Sequence, residues 1–338
     1  MGAKIDRLLL PLSLLITVLW SCENDAERKL DTRKKPAVSK PSITIIETPS
    51  FNQDSAFAFV QKQVDFGPRV PNTEAQLACA KWMEAKMKSF GMETSSQQAE
   101  VIAYNDQPLR MINVMGRYRP ELNDRILLCA HWDTRPYADR DTRDLNKPID
   151  GANDGASGVG VLLELARVIS QDSIGPNIGF DIVFFDTEDY GKPESSMVGT
   201  SSDSWCLGSQ YWAKNIPFAN YKPKYGILLD MVGASNAIFP KEAASMHYAP
   251  DVVNNVWSIA QAMGHKDYFP NINGNPITDD HIYLNTLAGI PSIDIIHYEM
   301  GRADFGSFHH THDDNMNVID ANTLKVVGDV LMQVIYKE

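Results

Sequence analysis

The sequence is poor in cysteine, in aromatic residues and in positive charge. Only 4 of its 338 residues are cysteine, and 9% are aromatic. Cys22, Cys79, Cys129 and Cys206 show neither a CxxC nor a zinc-finger spacing, so disulfide bonds and thiolate zinc clusters do not define the fold. Lys and Arg number 31 against 43 Asp and Glu, and the resulting net charge of −12 disfavours nucleic acid and anionic lipid as partners.

The remaining composition is that of a globular protein. Hydrophobic residues make up 43% of the chain and charged residues 22%, which excludes a collagen, a coiled coil and wholesale disorder. The length fits one large α/β domain with a sizeable core.

The first 22 residues have the pattern of an export signal. Lys4 and Arg7 precede a largely apolar run over 8–20, which is shorter than the about 20 residues of a membrane span. Leu19-Trp20-Ser21-Cys22 resembles the bacterial lipobox, in which the cysteine carries lipid. We therefore predict a lipoprotein signal peptide over 1–21 and an exported protein, anchored in the bacterial periplasm or outer membrane through a lipid on Cys22. Plain export without lipid is the alternative.

Beyond the signal, the patterns predict a flexible tether over 22–50 and a single domain over 51–338. Short, nearly continuous apolar runs are typical of strands buried on both faces of a sheet, and they occur at 125–130, 180–185, 224–230 and 290–296. Two further strands are predicted near 96–103 and 109–118. Helical patterns lie near 56–64, 75–90, 156–169, 207–214, 252–263 and 323–336. The predicted fold is a three-layer αβα sandwich with a mixed, mainly parallel sheet.

Polar residues gather where the buried strands end. His131 and Asp133 follow the first of these strands, Glu188 and Asp189 the second, and Asp230 the third. Ligand sites in such sheets lie beyond the carboxyl ends of the strands, so these side chains are expected to meet. Adjacent buried carboxylates repel each other unless a cation or a proton separates them.

Two loops supply further candidate ligands. Asp154 lies in a small-residue turn that leads into a helix, and the segment 308–314 contains three histidines. Mixed nitrogen and oxygen ligands without thiolate suit zinc with one position open for substrate. A helix cap at Asp154 and an exposed polar loop at 308–314 are the alternatives. No metal role is assigned to His247, His265 or His281, and His297 is expected to form a hydrogen bond at a strand end.

Several motifs, in this order, resemble the zinc aminopeptidase superfamily and, within it, the animal-like glutaminyl-peptide cyclotransferases. The resemblance covers nearly all of the chain from about residue 52 onward. The motifs are Phe66-Gly67-Pro68-Arg69-Val70-Pro71, Ala130-His131-Trp132-Asp133, Gly151-Ala152-Asn153-Asp154, Phe184-Phe185-Asp186-Thr187-Glu188-Asp189, Leu229-Asp230-Met231-Val232-Gly233-Ala234, Asp279-Asp280-His281 and His310-Thr311-His312-Asp313-Asp314.

The resemblance implies a zinc-dependent catalytic domain and assigns roles to its residues. Glu188 would transfer protons, while Asp230 and Asp279 would hold hydrogen bonds near the substrate amine. Trp205 and His309 would line the substrate pocket. The ligands of a single zinc ion would be Asp154, Asp189 and His310.

This sequence departs from the animal enzymes at two positions. Asp189 stands where they carry a second glutamate, and Asp294 stands where they carry a histidine. The first departure implies a small shift of the metal or the strand end, and the second leaves the hydrogen bonds around Asp279 open.

The resemblance allows two chemistries. The favoured one is cyclisation of an N-terminal glutamine of peptides or proteins to pyroglutamate with release of ammonia. The alternative is a zinc aminopeptidase with a second ion at His131 and Asp230, bridged by Asp154. The aromatic residues Trp132, Tyr137, Tyr190 and Trp205 favour cyclisation if they wall a dry pocket. A non-catalytic ectodomain is disfavoured because no implied zinc ligand is missing and Glu188 is retained.

Overall fold

A six-stranded sheet forms the centre of the fold. The structure is a computed structural model that describes residues 43–193, 196 and 203–338. The strands are β1 (Glu93–Ile102), β2 (Pro108–Tyr118), β3 (Arg125–His131), β4 (Gly179–Phe185), β5 (Gly226–Asp230) and β6 (Ser292–Ile296). Their order is β1-β2-β4-β3-β5-β6. The pairs among β4, β3, β5 and β6 are parallel, and β1 and β2 add antiparallel pairs. This confirms the predicted mixed, mainly parallel sheet.

The side chains of the central strand β3 point alternately to the two faces of the sheet, and those on both faces are apolar. Ile126, Leu128 and Ala130 of β3 pack into the larger core, whereas Leu127 and Cys129 pack into the smaller one. Successive strand residues point to opposite faces, so a continuous apolar run is what a sheet covered on both sides requires. The result is the predicted three-layer sandwich.

Eight α-helices are found among the described residues, and six of them were predicted within a few residues. The helices are α1 (Gln53–Val64), α2 (Glu74–Ser89), α3 (Ala156–Gln171), α4 (Leu207–Lys214), α5 (Ala243–Tyr248), α6 (Pro250–Ala262), α7 (Asp280–Thr286) and α8 (Ala321–Lys337). The larger core contains residues of α1, α2, α3, α6 and α8, and the smaller one contains residues of α4 and α7. The two short helices α5 and α7 were not predicted because six or seven residues carry too little periodicity.

The domain begins before the predicted tether ends. The main chain of Ile46 exchanges two hydrogen bonds with the side chain of Gln333 on α8, at 3.1 and 2.6 Å, and Ile43 packs against the larger core. Residues 43–50 therefore lie along the domain, because their apolar side chains and main-chain groups find partners there. The compact unit extends from Ile43 to Glu338. The signal peptide, Cys22 and the rest of the tether lie outside the described residues.

Cys79, Cys129 and Cys206 are free thiols, and all three are buried. Within the described residues, no helix is both long and apolar enough to cross a membrane.

Candidate metal centre and active site

The site forms at the carboxyl ends of the parallel strands. His131 is the last residue of β3 and Asp230 the last residue of β5, while Glu188 and Asp189 follow the end of β4. The main-chain nitrogens of Glu188 and Asp189 both donate to the carboxylate of Asp133, at 3.0 and 3.2 Å. Asp133 thus fixes the turn after β4, and the predicted convergence of strand-end residues is found.

A tight loop carries Asp154 into the site. Its main-chain nitrogen and that of Asn153 donate to the two carboxylate oxygens of Asp314, at 3.1 and 2.7 Å. Gly155 adopts φ +90, and a Cβ there would lie 2.9 Å from the main-chain oxygen of Asp133. Only glycine fits this close approach, so the small-residue turn serves to bring Asp154 against the strand ends.

His310 approaches both other predicted ligands. Its Nε2 lies 3.2 Å from Asp189 Oδ1 and 3.7 Å from Asp154 Oδ2. His309 is the more distant imidazole, with Nε2 3.9 Å from Asp154 Oδ2 and Nδ1 2.6 Å from an Arg140 nitrogen. The structure therefore places Asp154 and Asp189 beside the same imidazole, that of His310, and their role as zinc ligands stays a prediction. Asp154, His309 and His310 also each offer one atom within 4.8 Å of the others, so His309 is a neighbouring candidate ligand.

The chemistry of these atoms fits a cation. Asp154 Oδ2 and Asp189 Oδ2 are buried and have no hydrogen-bond partner within the described part of the chain. Burial, together with the nearby Arg135, lowers the pKa of His310 to about 3, so its ring is neutral and can offer a lone pair. Burial and the charge of Asp154 raise the pKa of Asp189 well above its usual range. A divalent ion would relieve this repulsion.

Glu188 lies beside this centre and does not join it. Its Oε2 is 4.0 Å from His131 Nδ1, and its side chain is 12% exposed at the cavity. Burial raises the pKa of Glu188 well above its usual range. A carboxyl group with a raised pKa is suited to accepting and returning a proton.

Asp230 and Asp279 also reach the cavity. Asp230 Oδ1 lies 3.2 Å from His131 Nε2, which is in turn 3.0 Å from Asp154 Oδ1. Asp279 caps α7 by accepting from the main-chain nitrogen of Asp280, and burial together with Asp230 raises the pKa of Asp279 to about 7. His131, Asp154 and Asp230 each offer one atom within 4.8 Å of the others, as the predicted second-metal position requires.

The cavity beside these residues measures about 790 Å³. The Trp205 ring stacks on His310 with a centroid distance of 5.8 Å and an angle of 8° between the planes. Trp205 and His309 both line the cavity, and their role in a substrate pocket stays a prediction.

The other three aromatic residues are not part of this wall. Trp132 is fully buried in the larger core, where its indole nitrogen donates to the main-chain oxygen of Ile112. Tyr137 and Tyr190 pack edge to face in a separate cluster beside β2. The expectation of four pocket aromatics is therefore wrong for these three, because their rings find apolar partners elsewhere.

Arg135 is a buried residue of the site that was not predicted from the sequence. Its guanidinium pairs with both carboxylate oxygens of Asp139, at 2.6 and 2.7 Å, and donates to the main-chain oxygen of Asp189 at 3.0 Å. The same guanidinium lies over the Trp205 ring, 4.6 Å from its centroid. Arg135 thus supplies a buried positive charge beside two carboxylates. A sequence offers no signal for this, because arginines in loops are usually exposed.

His281, to which no metal role was assigned, lies among carboxylates. It is fully buried, with Nε2 3.2 Å from Glu242 Oε2 and Nδ1 3.9 Å from Asp294 Oδ2. Although burial alone raises the pKa of Glu242, the hydrogen bond with His281 lowers it to about 2. The signal available in the sequence was its position directly after Asp279-Asp280. His297 is, as expected, a strand-end hydrogen-bonder that accepts from the main-chain nitrogen of Ile238 at 3.0 Å.

Replacing Arg135 by methionine is expected to lower the free energy of unfolding by about 3 to 5 kcal/mol, because it leaves Asp139 and Asp189 without their buried counter-charge. Urea unfolding of zinc-free protein measures the change. The control is Arg143→Met, which removes an arginine that is 59% exposed and pairs with Asp141, and which is expected to cost less than about 1 kcal/mol. Equal losses in both variants would contradict the assigned role.

Comparison with solved structures shows the same fold in two kinds of enzyme. A glutaminyl cyclase of Bacteroides thetaiotaomicron, bound to N-acetylhistamine, is 47% identical with a TM-score of 0.84, and the match covers 86% of this chain and 100% of that chain. A Zn-dependent exopeptidase of Parabacteroides distasonis is 49% identical with a TM-score of 0.84 and the same coverage.

Comparison of sequences gives the family. Aminopeptidase YwaD of Bacillus subtilis is 25% identical over 233 residues, which are 67% of this chain and 44% of YwaD, so the chain spans less than half the length of this relative. Residues 113–335, most of the chain, match Peptidase family M28. The protein is therefore a member of Peptidase family M28.

Proposed function

We propose that the protein converts the N-terminal glutamine of peptides and proteins into pyroglutamate and releases ammonia. The observation that carries this proposal is the match, over the whole of that chain, to the glutaminyl cyclase of Bacteroides thetaiotaomicron at 47% identity. The cavity at the strand ends supports it, because a neutral imidazole, unpartnered carboxylate oxygens and a separate glutamate meet there.

One zinc ion is the proposed cofactor, with Asp154, Asp189 and His310 as the residues that would hold it. When bound, zinc supplies an electrophile that polarises the γ-carbonyl of the substrate glutamine. The buried carboxylate oxygens and the neutral ring of His310 support this set.

The reaction joins the α-nitrogen of glutamine to its own γ-carbonyl carbon and breaks the bond from that carbon to the amide nitrogen. Glu188 accepts a proton from the attacking amine and returns it to the departing nitrogen, which leaves as ammonia. Asp230 and Asp279 border the same cavity and orient the amine through hydrogen bonds.

Holding the glutamine in a folded conformation is a large part of the task. Well-oriented intramolecular reactions reach effective molarities of about 10⁵ to 10⁸ M, so a pocket that only fixes the geometry already lowers the barrier greatly. The stacked pair of Trp205 and His310 gives the cavity a flat, rigid wall of the kind that excludes water from a small carboxamide.

Aminopeptidase activity is the second candidate. One observation favours it, namely the converging atoms of His131, Asp154 and Asp230, which offer a place for a second ion. Two ions bound side by side are suited to activating a water molecule for peptide hydrolysis.

Incubation of the purified protein with Gln-initiated and Leu-initiated peptides separates the two candidates by mass spectrometry. Cyclisation yields a Gln peptide that is lighter by one ammonia molecule and leaves the Leu peptide intact. A released N-terminal amino acid from either peptide would overturn the proposal in favour of the aminopeptidase.

The rate of cyclisation is expected to rise towards mildly alkaline pH. A protonated amine has no lone pair for attack, and α-amines titrate near about 7.7 to 8.0. Below this range kcat/KM falls as the free amine is lost, and above it the dependence levels off. A pH profile on a Gln-initiated peptide checks this, and a maximum at acidic pH would contradict it.

We also propose that the protein is exported and held at the membrane only through a lipid on Cys22. The support is the charged start, the short apolar run and the lipobox-like ending of the first 22 residues. Labelling of cells with a palmitate analogue tests the proposal: the wild type should incorporate the label and Cys22→Ser should not. Unlabelled wild-type protein would overturn it.

A further inference from the structure

The carboxylate of Glu188 has one hydrogen-bond donor among the described side chains. The Cys206 thiol lies 3.1 Å from Glu188 Oε1, within the range of an S–H···O hydrogen bond. The other oxygen, Oε2, lies 4.0 Å from His131 Nδ1, beyond hydrogen-bond distance. The two carboxylate oxygens of Glu188 therefore differ: Oε1 accepts a hydrogen bond from the thiol, whereas Oε2 has no donor among the described residues within hydrogen-bond distance and can exchange a proton.

The main chain fixes the position of this thiol. The main-chain nitrogen of Cys206 donates to the main-chain oxygen of Glu188 at 3.0 Å. The main-chain nitrogen of Leu207 donates to the main-chain oxygen of Thr187 at 3.1 Å. Cys206 is fully buried and adopts φ 56 directly before α4. This left-handed conformation is uncommon for a non-glycine residue, and the two main-chain hydrogen bonds hold Cys206 in it.

We propose that Cys206 is a positioning residue whose thiol holds Glu188 Oε1, so that Oε2 is the oxygen that exchanges protons with the substrate. The proposal deepens the proposed function, on which it rests for the role of Glu188. Burial raises the pKa of the Cys206 thiol well above its usual range, which keeps the proton on sulfur and makes the group a hydrogen-bond donor.

A different role is also open to this thiol. Glu188, Cys206 and Asp279 each offer one atom within 4.8 Å of the others, an arrangement in which a thiolate would be able to bind a cation. A neutral thiol fits this role poorly because the thiolate is the form that ligates metals. The zinc content of Cys206 variants separates the two roles.

Two substitutions test the positioning role. Cys206→Ala removes the donor and is expected to lower kcat about 3- to 10-fold, as the loss of one hydrogen bond from a weak S–H donor predicts, with KM and zinc content unchanged. Cys206→Ser restores a donor and is expected to keep kcat within about 2-fold of the wild type. Both variants retain a Cβ, so the left-handed backbone penalty is about the same in each. The control is Cys129→Ala, which removes a buried thiol from the smaller core.

Two further readouts make the result specific. In a Glu188→Gln background, Cys206→Ala should cause no additional loss of turnover, because residues that act as a unit are non-additive. The infrared S–H stretching band of Cys206, assigned by its absence in Cys206→Ser, should move to higher frequency in Glu188→Ala. This second readout does not depend on activity.

The outcomes separate this proposal from the proposed function. If the wild type hydrolyses the Leu-initiated peptide instead of cyclising the Gln peptide, the proposed function fails, and the same variants are compared on hydrolysis. Wild-type kcat in Cys206→Ala, an unmoved S–H band in Glu188→Ala, or loss of one zinc equivalent in Cys206→Ala would each overturn the positioning role.

Discussion

Glu188→Gln is expected to keep the fold and the zinc but to lose about 10²- to 10⁴-fold in cyclisation turnover. Glutamine has the same shape as glutamate but cannot accept the proton of the attacking amine. Glu188 is not one of the three proposed ligands: His310 Nε2 approaches Asp154 and Asp189, whereas Glu188 Oε2 lies 4.0 Å from His131 Nδ1. The main-chain hydrogen bond from Glu188 to Asp133 survives the substitution, so the turn after β4 should stay in place.

Steady-state kinetics on a Gln-initiated peptide, zinc content and thermal unfolding together check this result. Glu100→Gln is the matched control, since it makes the same chemical change at an exposed position of β1. Its turnover should equal that of the wild type. Undiminished turnover in Glu188→Gln would remove Glu188 from the mechanism, and loss of zinc together with activity would make it a ligand instead.

The sequence was sufficient to locate this site because the sheet is buried on both faces. Continuous apolar runs marked β3, β4 and β5, and each run ended in polar residues whose position at one sheet edge follows from parallel pairing. The sequence pattern alone was therefore enough to place His131, Glu188 and Asp230 at the same edge of the sheet. Choosing His310 over His309 required the family resemblance, since the spacing alone treats both histidines alike.

The buried charges could not be predicted in the same way. Arg135 and His281 are enclosed by chain segments far away in sequence, and their partners Asp189 and Glu242 lie 54 and 39 residues away. Periodicity reports which face of an element is apolar, but it carries no information about which charged side chain a loop will cover. The same limit applies to Asp294, which lies on buried β6 beside Asp279 and His281.

Removal of zinc is expected to abolish turnover and to destabilise the protein. In the zinc-free protein Asp154 Oδ2 and Asp189 Oδ2 stay buried without a hydrogen-bond partner among the described residues, and the two carboxylates repel each other. A ligand that binds only the folded state at a concentration of 100 times its Kd adds about 2.7 kcal/mol of stability, so the melting temperature should rise measurably with added zinc. Chelation followed by dialysis against zinc, with activity and unfolding measured at each step, checks both effects.

The pH dependence of this stabilisation has a definite sign. The folded protein without zinc holds Asp189 at a raised pKa, so its ionisation opposes folding as the pH rises through that value. Zinc binds the ionised form, and its stabilising effect should therefore grow from acidic towards neutral pH.

His310→Ala should lose most of the stabilisation by zinc, whereas His312→Ala, in the same loop, should retain it because His312 contacts the main-chain oxygen of Asp144. Equal zinc responses in the two variants, or full activity in zinc-free protein, would show that these three residues do not form the metal centre.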